Sequence, residues 1–330
     1  MTAPVLEVER LSVRIGAARI LDDVSVSVPA GGTVGVVGES GCGKSTLLRA
    51  ILGILPRGAQ VPGGAVLFGG RDILADGGAS ARGRIGVARA PGVHGRIGYV
   101  PQDPYLSLNP VFRAGDQILE IMRRHAPGSR RDHVAKLVEL FRAVQLPDPE
   151  AALAKYPHQF SGGQRQRLLI AAALCCDPAL VVADEPTTAL DVTTQREILA
   201  VLQGLAAARG LALLFVTHDF GVLASLCEQV TVLYAGRVAE SGPTRAVLDD
   251  PRHPYTRMLL ACHPDRATDL AGIPGTVPAA TAQPTGCRFH PRCPIARTSC
   301  AEQVPVPVPQ GGRVVACPWH AEALPEAALA

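Results

Sequence analysis

The sequence lacks any strong charge bias: 32 Lys and Arg stand against 29 Asp and Glu, leaving a formal charge of +3 over 330 residues. A dedicated DNA-binding protein carries a clear basic excess or a basic stripe, so nucleic acid is not the expected partner. The pairs Arg123-Arg124 and Arg130-Arg131 read as solvated helix faces. Long apolar runs are also missing. A membrane-crossing helix needs roughly 18 or more apolar residues, and the best candidate, from Leu211, is broken by His218 and Asp219. The opening MTAPVLEVER has early acidic residues and no apolar h-region, so no secretory leader is expected. No internal repeat suggests a second copy of any module. A cytoplasmic location is expected, and there the nine cysteines point to buried thiols or metal ligands before disulfides.

What is present supports a real core: 47% apolar and 18% charged residues. The length suits one large domain and a smaller one. VLEVERLSVRI and DDVSVSVP alternate as half-exposed strands about a turn at Gly16. GTVGVVG is a short apolar run, followed by the helical spacing of KSTLLRAILGIL. ALVVADEP and LALLFVTHD end in polar residues as buried parallel strands do. Between them, Ile198, Val201, Leu202 and Leu205 mark one face of a helix ending near Gly210. VTVLYAGRVAES predicts a hairpin turning at Ala235-Gly236, and the stretch from about Phe112 to Ala173 reads as mostly helical. Gly69 to Gly98, rich in glycine, alanine and arginine, is expected to be a surface excursion. Prolines multiply from about Pro251, and the tail is expected to form a separate loop-rich unit.

GESGCGKST, from Gly38 to Thr46, fits G-x-x-x-x-G-K-[ST] between a strand and a helix. Its backbone N–H groups can turn inward around phosphates at a positive helix end. The expected ATP-binding set is Gly38, Glu39, Ser40, Gly41, Cys42, Gly43, Lys44, Ser45 and Thr46. Lys44 is placed to reach the β- and γ-phosphates and Ser45 to offer its hydroxyl to Mg²⁺. Cys42 has two readings: a small space-filler, or a thiol activated by Lys44 and the helix end and sensitive to alkylation. In LVVADEPTTALD the strand delivers Asp184, a Mg²⁺ holder through waters, and Glu185, the natural base or orienter for a water attacking the γ-phosphate. In FSGGQRQR, Ser161, Gly162 and Gly163 open a helix and form a second anion site. The economical explanation for two such sites is a dimer in which this loop closes on the partner's γ-phosphate.

Together with Gln102 in VPQDP, Gln164, the ALD at Ala189–Asp191 and His218, these motifs resemble an ABC (ATP-binding cassette) ATPase subunit from about Leu6 to Gly242. The resemblance implies an α/β, RecA-like P-loop fold with an antiparallel β subdomain and a helical signature subdomain at about 103–165. It further implies a head-to-tail dimer around two ATP molecules. In it Gln102 contacts Mg²⁺ and water, Ser161, Gly162, Gly163 and Gln164 form the signature, Asp191 crosses the interface and His218 contacts the γ-phosphate. One departure is Ile15, where the family usually stacks an aromatic residue on adenine; stacking is lost or supplied elsewhere.

QDPYLSLNPVFRAGDQI, YPHQFSGGQRQR and HPYTRMLL look like the versions in dipeptide, oligopeptide and nickel importers. That resemblance implies an ATPase at the cytoplasmic face of the inner membrane with two permease subunits, a second ATPase subunit and a solute-binding protein. Alternatives are the same engine moving nickel or another solute, or a soluble ABC ATPase. The cassette is expected over 1–250 and an extension over 251–330. Cys287, Cys293, Cys300 and Cys317 in that extension lack the C-x₂-C pairing of ordinary zinc sites. Four thiolates from a loop-like segment can hold a [4Fe–4S] cluster, and GCRFHPRCP resembles extensions of peptide-importer ATPases, some of which carry one. Zinc and metal-free thiols remain alternatives, with His290 and His320 as alternative ligands. Cys175, Cys176, Cys227 and Cys262 read as buried or incidental.

Overall fold

The computed structural model describes residues 3–75, 95–188, 190–262, 272–322 and 324. Most of the expected surface excursion, residues 76–94, lies outside them, as does Ala189. The strands are β1 (Pro4–Ile15), β2 (Ala18–Pro29), β3 (Thr33–Val37), β4 (Ala59–Phe68), β5 (Arg71–Asp72) and β6 (Ile97–Val100). They continue with β7 (Leu180–Asp184), β8 (Ala212–Val216), β9 (Gln229–Tyr234), β10 (Arg237–Pro243), β11 (Val308–Gln310) and β12 (Arg313–Val315). The helices are α1 (Lys44–Ile51), α2 (Ala114–His125), α3 (Arg130–Ala143), α4 (Pro149–Ala152), α5 (Gly162–Leu174) and α6 (Val192–Arg209). They continue with α7 (Phe220–Leu226), α8 (Thr244–Asp249), α9 (Pro254–Ala261) and α10 (Thr298–Glu302). No helix among the described residues is long and apolar enough to cross a membrane.

The chain divides into two compact units, one of residues 1–5, 28–33 and 89–216, the other of 6–27, 34–88 and 217–330. In the first, β6, β7 and β8 run parallel, with β7 in the middle. Leu180, Val181, Val182 and Ala183 are all buried, as a strand covered on both faces requires. The helices α2, α3 and α5 pack Ile118, Met122, Leu137, Leu140, Phe141 and Leu168 into a common apolar layer. Ser129 caps α3 by accepting from the Asp132 N–H while Asp132 accepts from the Ser129 N–H, a reciprocal box. The helix α6 ends at Gly210, in the left-handed conformation, as expected.

In the second unit, β1 lies between β2 and β4 in an antiparallel sheet. Leu6, Val8, Leu11 and Val13 are buried, with a shift in pairing between Glu9 and Ser12. A second sheet pairs β3 with β9 in parallel and β9 with β10 as a hairpin. That hairpin turns at Ala235 and Gly236, both at positive φ (44° and 83°), the turn whose twist suits paired strands. The tail adds to this sheet: β12 pairs with β10, matching Glu240 with Val315, and β11 pairs with β12. Phe289, Tyr255, Val315 and Ala316 are buried, so the proline-rich tail contributes core side chains of its own.

The start of α9 carries a titration. His253, its N-cap, accepts the Tyr255 N–H on Nδ1 at 3.0 Å, which leaves the ring proton on Nε2. Burial, assisted by the Arg257 charge, pushes its pKa down to about 3. An unfolded histidine titrates near about 6.5, so below that pH the unfolded chain takes up a proton that the folded one refuses. Stability is therefore lost as pH falls from about 6.5 toward 3, by roughly 1.4 kcal/mol per pH unit. Glu240 works the other way: burial raises its carboxyl, although it accepts the His253 N–H at 2.9 Å. Between pH 7.5 and 5.5 the urea midpoint of the protein is expected to fall, and His253→Gln is expected to fall less. Equal pH dependence in the two proteins would refute the assignment.

Candidate functional site

The phosphate loop joins β3 to α1. Two of its glycines are required by space and by backbone. A Cβ on Gly38 would sit 2.1 Å from the Leu233 carbonyl oxygen, and Gly43 has φ of 109° with Leu21 Cδ2 2.7 Å from a Cβ position. Ser40, Gly41 and Ser45 are exposed, while Lys44 is buried. Its ammonium donates to the Gly38 carbonyl at 2.6 Å and to the Glu39 carbonyl at 3.1 Å. Thr46 is buried beneath the loop.

Cys42 is 1% exposed, and burial raises its pKa despite the Lys44 ammonium 3.8 Å from its sulfur. Of the two readings of Cys42, burial favours the space-filler: desolvation outweighs the cation.

Glu39 is held from the tail. Its N–H donates to Tyr255 Oη at 2.9 Å, and its carboxylate accepts two bonds from Arg292, at 2.8 and 3.1 Å. A second tail arginine, Arg288, reaches Asp22 at 2.5 Å and donates to the Ala235 carbonyl. Burial alone would raise the Asp22 carboxyl, but Arg237, Arg288 and Arg19 hold it below its ordinary value. Sequence reasoning assigned roles to none of these tail residues. HPYTRMLL and GCRFHPRCP were visible as patterns, but their contacts span more than 200 positions.

In the other unit, β7 presents Asp184 and Glu185 at its C-terminal end, both partly buried. Glu185 sits at φ 43°, a sparsely populated region for a non-glycine residue, held by its N–H bond to the Val216 carbonyl at 2.8 Å. Its Oε2 accepts from Gln102 Nε2 at 3.2 Å and from Thr188 Oγ1 at 2.9 Å. Sequence reading named Gln102 and Glu185, and the structure brings them together; Thr188 was missed. His218 is exposed, two residues past β8.

Ser161 caps α5, accepting the Gln164 N–H at 3.3 Å while Gln164 Oε1 accepts the Ser161 N–H at 3.1 Å. Gly162 and Gly163 form the first turn, and a Cβ on Gly163 would lie 2.6 Å from Thr194 Cγ2. Thr194 belongs to the first turn of α6, capped by Asp191, whose Oδ1 accepts the Thr194 N–H at 3.0 Å. That bond holds the exposed Asp191 carboxyl below its ordinary pKa. Behind the loop Arg165 stacks 4.3 Å over Tyr105 and Arg167 bonds to Val144, Gln145 and Glu197, which fixes the helix start.

Cys287, Cys293, Cys300 and Cys317 line one cavity of about 400 Å³. Burial raises the thiols of Cys287, Cys293 (to about 12) and Cys317 (to about 11), and neighbouring cysteines add to each shift. The described residues nevertheless contain no group of three or more His, Cys, Asp or Glu that could hold a metal ion. The expected ligands Cys287, Cys293, Cys300 and Cys317 are thus brought to one cavity, without the grouping that a single bound ion needs. His290 and His320 turn Nδ1 to the Cys287 and Cys317 carbonyls, each at 2.8 Å.

A nucleotide-type phosphate loop, a carboxylate pair ending a parallel strand and a Ser-Gly-Gly helix start define an ATP-binding cassette. The ABC transporter family pattern matches residues 21–188, and the chain belongs to that family. The pattern for the C-terminal region of oligopeptide/dipeptide transporters matches residues 239–300. Among similar proteins is the probable D,D-dipeptide transport ATP-binding protein of Escherichia coli strain K12, 42% identical over 92% of this chain and 93% of its own. The dipeptide transport ATP-binding protein of the same organism is 39% identical over 91% of each. A dimeric ATP-binding cassette in a post-hydrolysis state with ADP and Pi aligns at a TM-score of 0.58 and 26% identity, covering 73% of this chain and 99% of that one. The cbiO1 protein from Clostridium perfringens, part of an ABC transporter complex, shares the fold at a TM-score of 0.63 and 24% identity, over 75% and 91%.

Proposed function

We propose that the chain is the ATP-hydrolysing subunit of an importer of dipeptides or oligopeptides. The observation that carries the hydrolytic part is Glu185, whose carboxylate two neighbouring donors align at the end of β7. Glu185 orients or deprotonates the attacking water, Gln102 senses the γ-phosphate and His218 contacts it. The loop from Gly38 to Thr46 holds ATP, with Lys44 leaving its carbonyl partners for the phosphates. Ser45, exposed at the first turn of α1, Asp184 and Gln102 suit Mg²⁺ by their oxygen chemistry. When bound, that ion supplies charge neutralisation across the phosphate oxygens.

Ser161, Gly162, Gly163 and Gln164 close on the ATP of a second ATPase subunit, and Asp191 lies in that interface. Tyr105, Leu106, Val111 and Phe112 are exposed, and this apolar surface supports docking of two permease subunits at the cytoplasmic face of the membrane. A solute-binding protein completes the assembly. The match over 239–300 and the names of the relatives support the peptide cargo. Residues 1–250 form the cassette and 251–330 its extension. The four tail cysteines are proposed as ligands of a [4Fe–4S] cluster, supported by their common cavity.

Reconstitution with the permease pair and solute-binding protein is expected to give ATP-dependent uptake of labelled dipeptide. Uptake of nickel instead would overturn the cargo assignment, and co-purification with nucleic acid in place of permease would overturn the importer reading. Anaerobic purification is expected to yield about four irons and four sulfides per chain, lost in Cys293→Ser; a metal-free tail would refute the cluster.

A further inference from the structure

Glu39 poses an electrostatic problem. A carboxylate next to a triphosphate repels it, most strongly where water is partly excluded. It is also the residue whose carbonyl holds the Lys44 ammonium. Its position therefore affects both the charge of the loop and the starting place of its lysine.

The tail answers both demands. The Arg292 side chain is 4% exposed, and every N–H of its guanidinium has an acceptor. Nε donates to the Pro274 carbonyl at 2.9 Å; one terminal nitrogen donates to Glu39 at 2.8 Å and Tyr234 Oη at 3.3 Å; the other donates to Glu39 at 3.1 Å and the Ile273 carbonyl at 3.0 Å. A planar fork so saturated has one available geometry, and it matches a carboxylate in two-point contact. Tyr255, fully buried, fixes the Glu39 backbone through its hydroxyl. Tyr255 is in turn packed against Tyr234 and Phe289, with ring centroids 4.5 and 5.4 Å away.

From this geometry we infer that Arg292 is a positioning residue for ATP binding: it neutralises Glu39 and fixes it, so that the phosphate loop is preorganised by the tail. Cys293 follows Arg292 directly in the chain, so the segment that carries the cysteines also carries this contact. The inference rests on the reading of Gly38–Thr46 as the ATP site.

The test measures Mg-ATP affinity and steady-state hydrolysis on the full chain, with thermal midpoints alongside. Arg292→Met is expected to weaken ATP binding about tenfold and raise KM with kcat little changed, a coupling typical of contacting groups. Glu39→Gln in the same chain removes the unpaired carboxylate and is expected to restore most of that affinity. A residue that merely braced the fold would not be rescued by losing its partner's charge. Arg292→Lys, which keeps the charge but cannot make the two-point contact, is expected to fall between. Unchanged KM in Arg292→Met, or a double variant no better than the single one, would overturn the inference. Should Arg292→Met fail to fold, Arg292→Lys with and without Glu39→Gln decides by the same rescue. Failure of the ATP-site reading looks different: the unaltered chain would bind no Mg-ATP, or Lys44→Ala would bind it equally well.

Discussion

Glu185→Gln is expected to lower ATP turnover by about 10²- to 10⁴-fold, the range a positioned general base contributes, while ATP binding persists. The substitution is close to isosteric. The amide oxygen still accepts from Gln102 and Thr188, which now meet Glu185 at 3.2 and 2.9 Å, so the local arrangement has no reason to collapse. On the proposed role of Glu185, what is lost is the capacity to take a proton from the attacking water. Bound ATP is then no longer consumed, and the closed dimer that it holds together accumulates. Two measurements check this: phosphate release in the steady state, and size-exclusion chromatography with Mg-ATP against Mg-ADP. The expected pattern is near-zero release with a dimer peak present only with ATP. Turnover equal to that of the unaltered protein would remove Glu185 from the key position, and loss of ATP binding would show that the substitution damages more than proton transfer.

What was legible in the sequence divides by range. The alternation of β1 and β2, the hairpin at Ala235-Gly236 and the end of α6 at Gly210 are written in neighbouring residues, and the structure has all three. The phosphate loop was legible because the demands on it are local: bare N–H groups, close backbone approach at Gly38 and a helix start. Gln102 could be named from its motif, and its bond to Glu185 crosses 83 positions. The tail was legible only in part. Its prolines disguise β11 in PVPVPQ, and the pairing of β12 with β10 joins Ser241 to Val314, which no local period announces. Arg292 and Glu39 are 253 residues apart, and an arginine in HPRCP looks like any surface cation until its acceptors are seen. Cys42 shows the same limit from the other side. Sequence leaves a space-filler and a thiol activated by Lys44 and the helix end side by side, and the burial of the sulfur favours the first.

Ser161→Arg is expected to abolish most turnover, by about 10²-fold or more, while Mg-ATP binding to the loop at Lys44 is nearly unchanged. The scale is that of removing a preorganised anion-stabilising donor. Ser161 is exposed and caps α5, with its oxygen on the Gln164 N–H. Its replacement has two consequences that must be separated. Losing the cap costs about 1 kcal/mol of helix stability, and a long cation obstructs the helix end where a phosphate is to be received. Ser161→Ala loses the cap and leaves the space, so it isolates the first effect and is expected to retain far more activity than Ser161→Arg. On the proposed reading that the signature residues serve the partner's nucleotide, the two functions separate in mixed dimers as well. A Ser161→Arg chain should still bind ATP on its own loop, and a Lys44→Ala chain should still offer a sound signature. Combining the two disabled chains leaves one nucleotide site with both halves intact, so mixing them is expected to recover hydrolysis that neither shows alone. Absence of recovery in a mixture that demonstrably forms mixed dimers would argue that two complete sites must fire together, and parallel loss of binding and turnover in Ser161→Arg alone would argue against a shared site altogether.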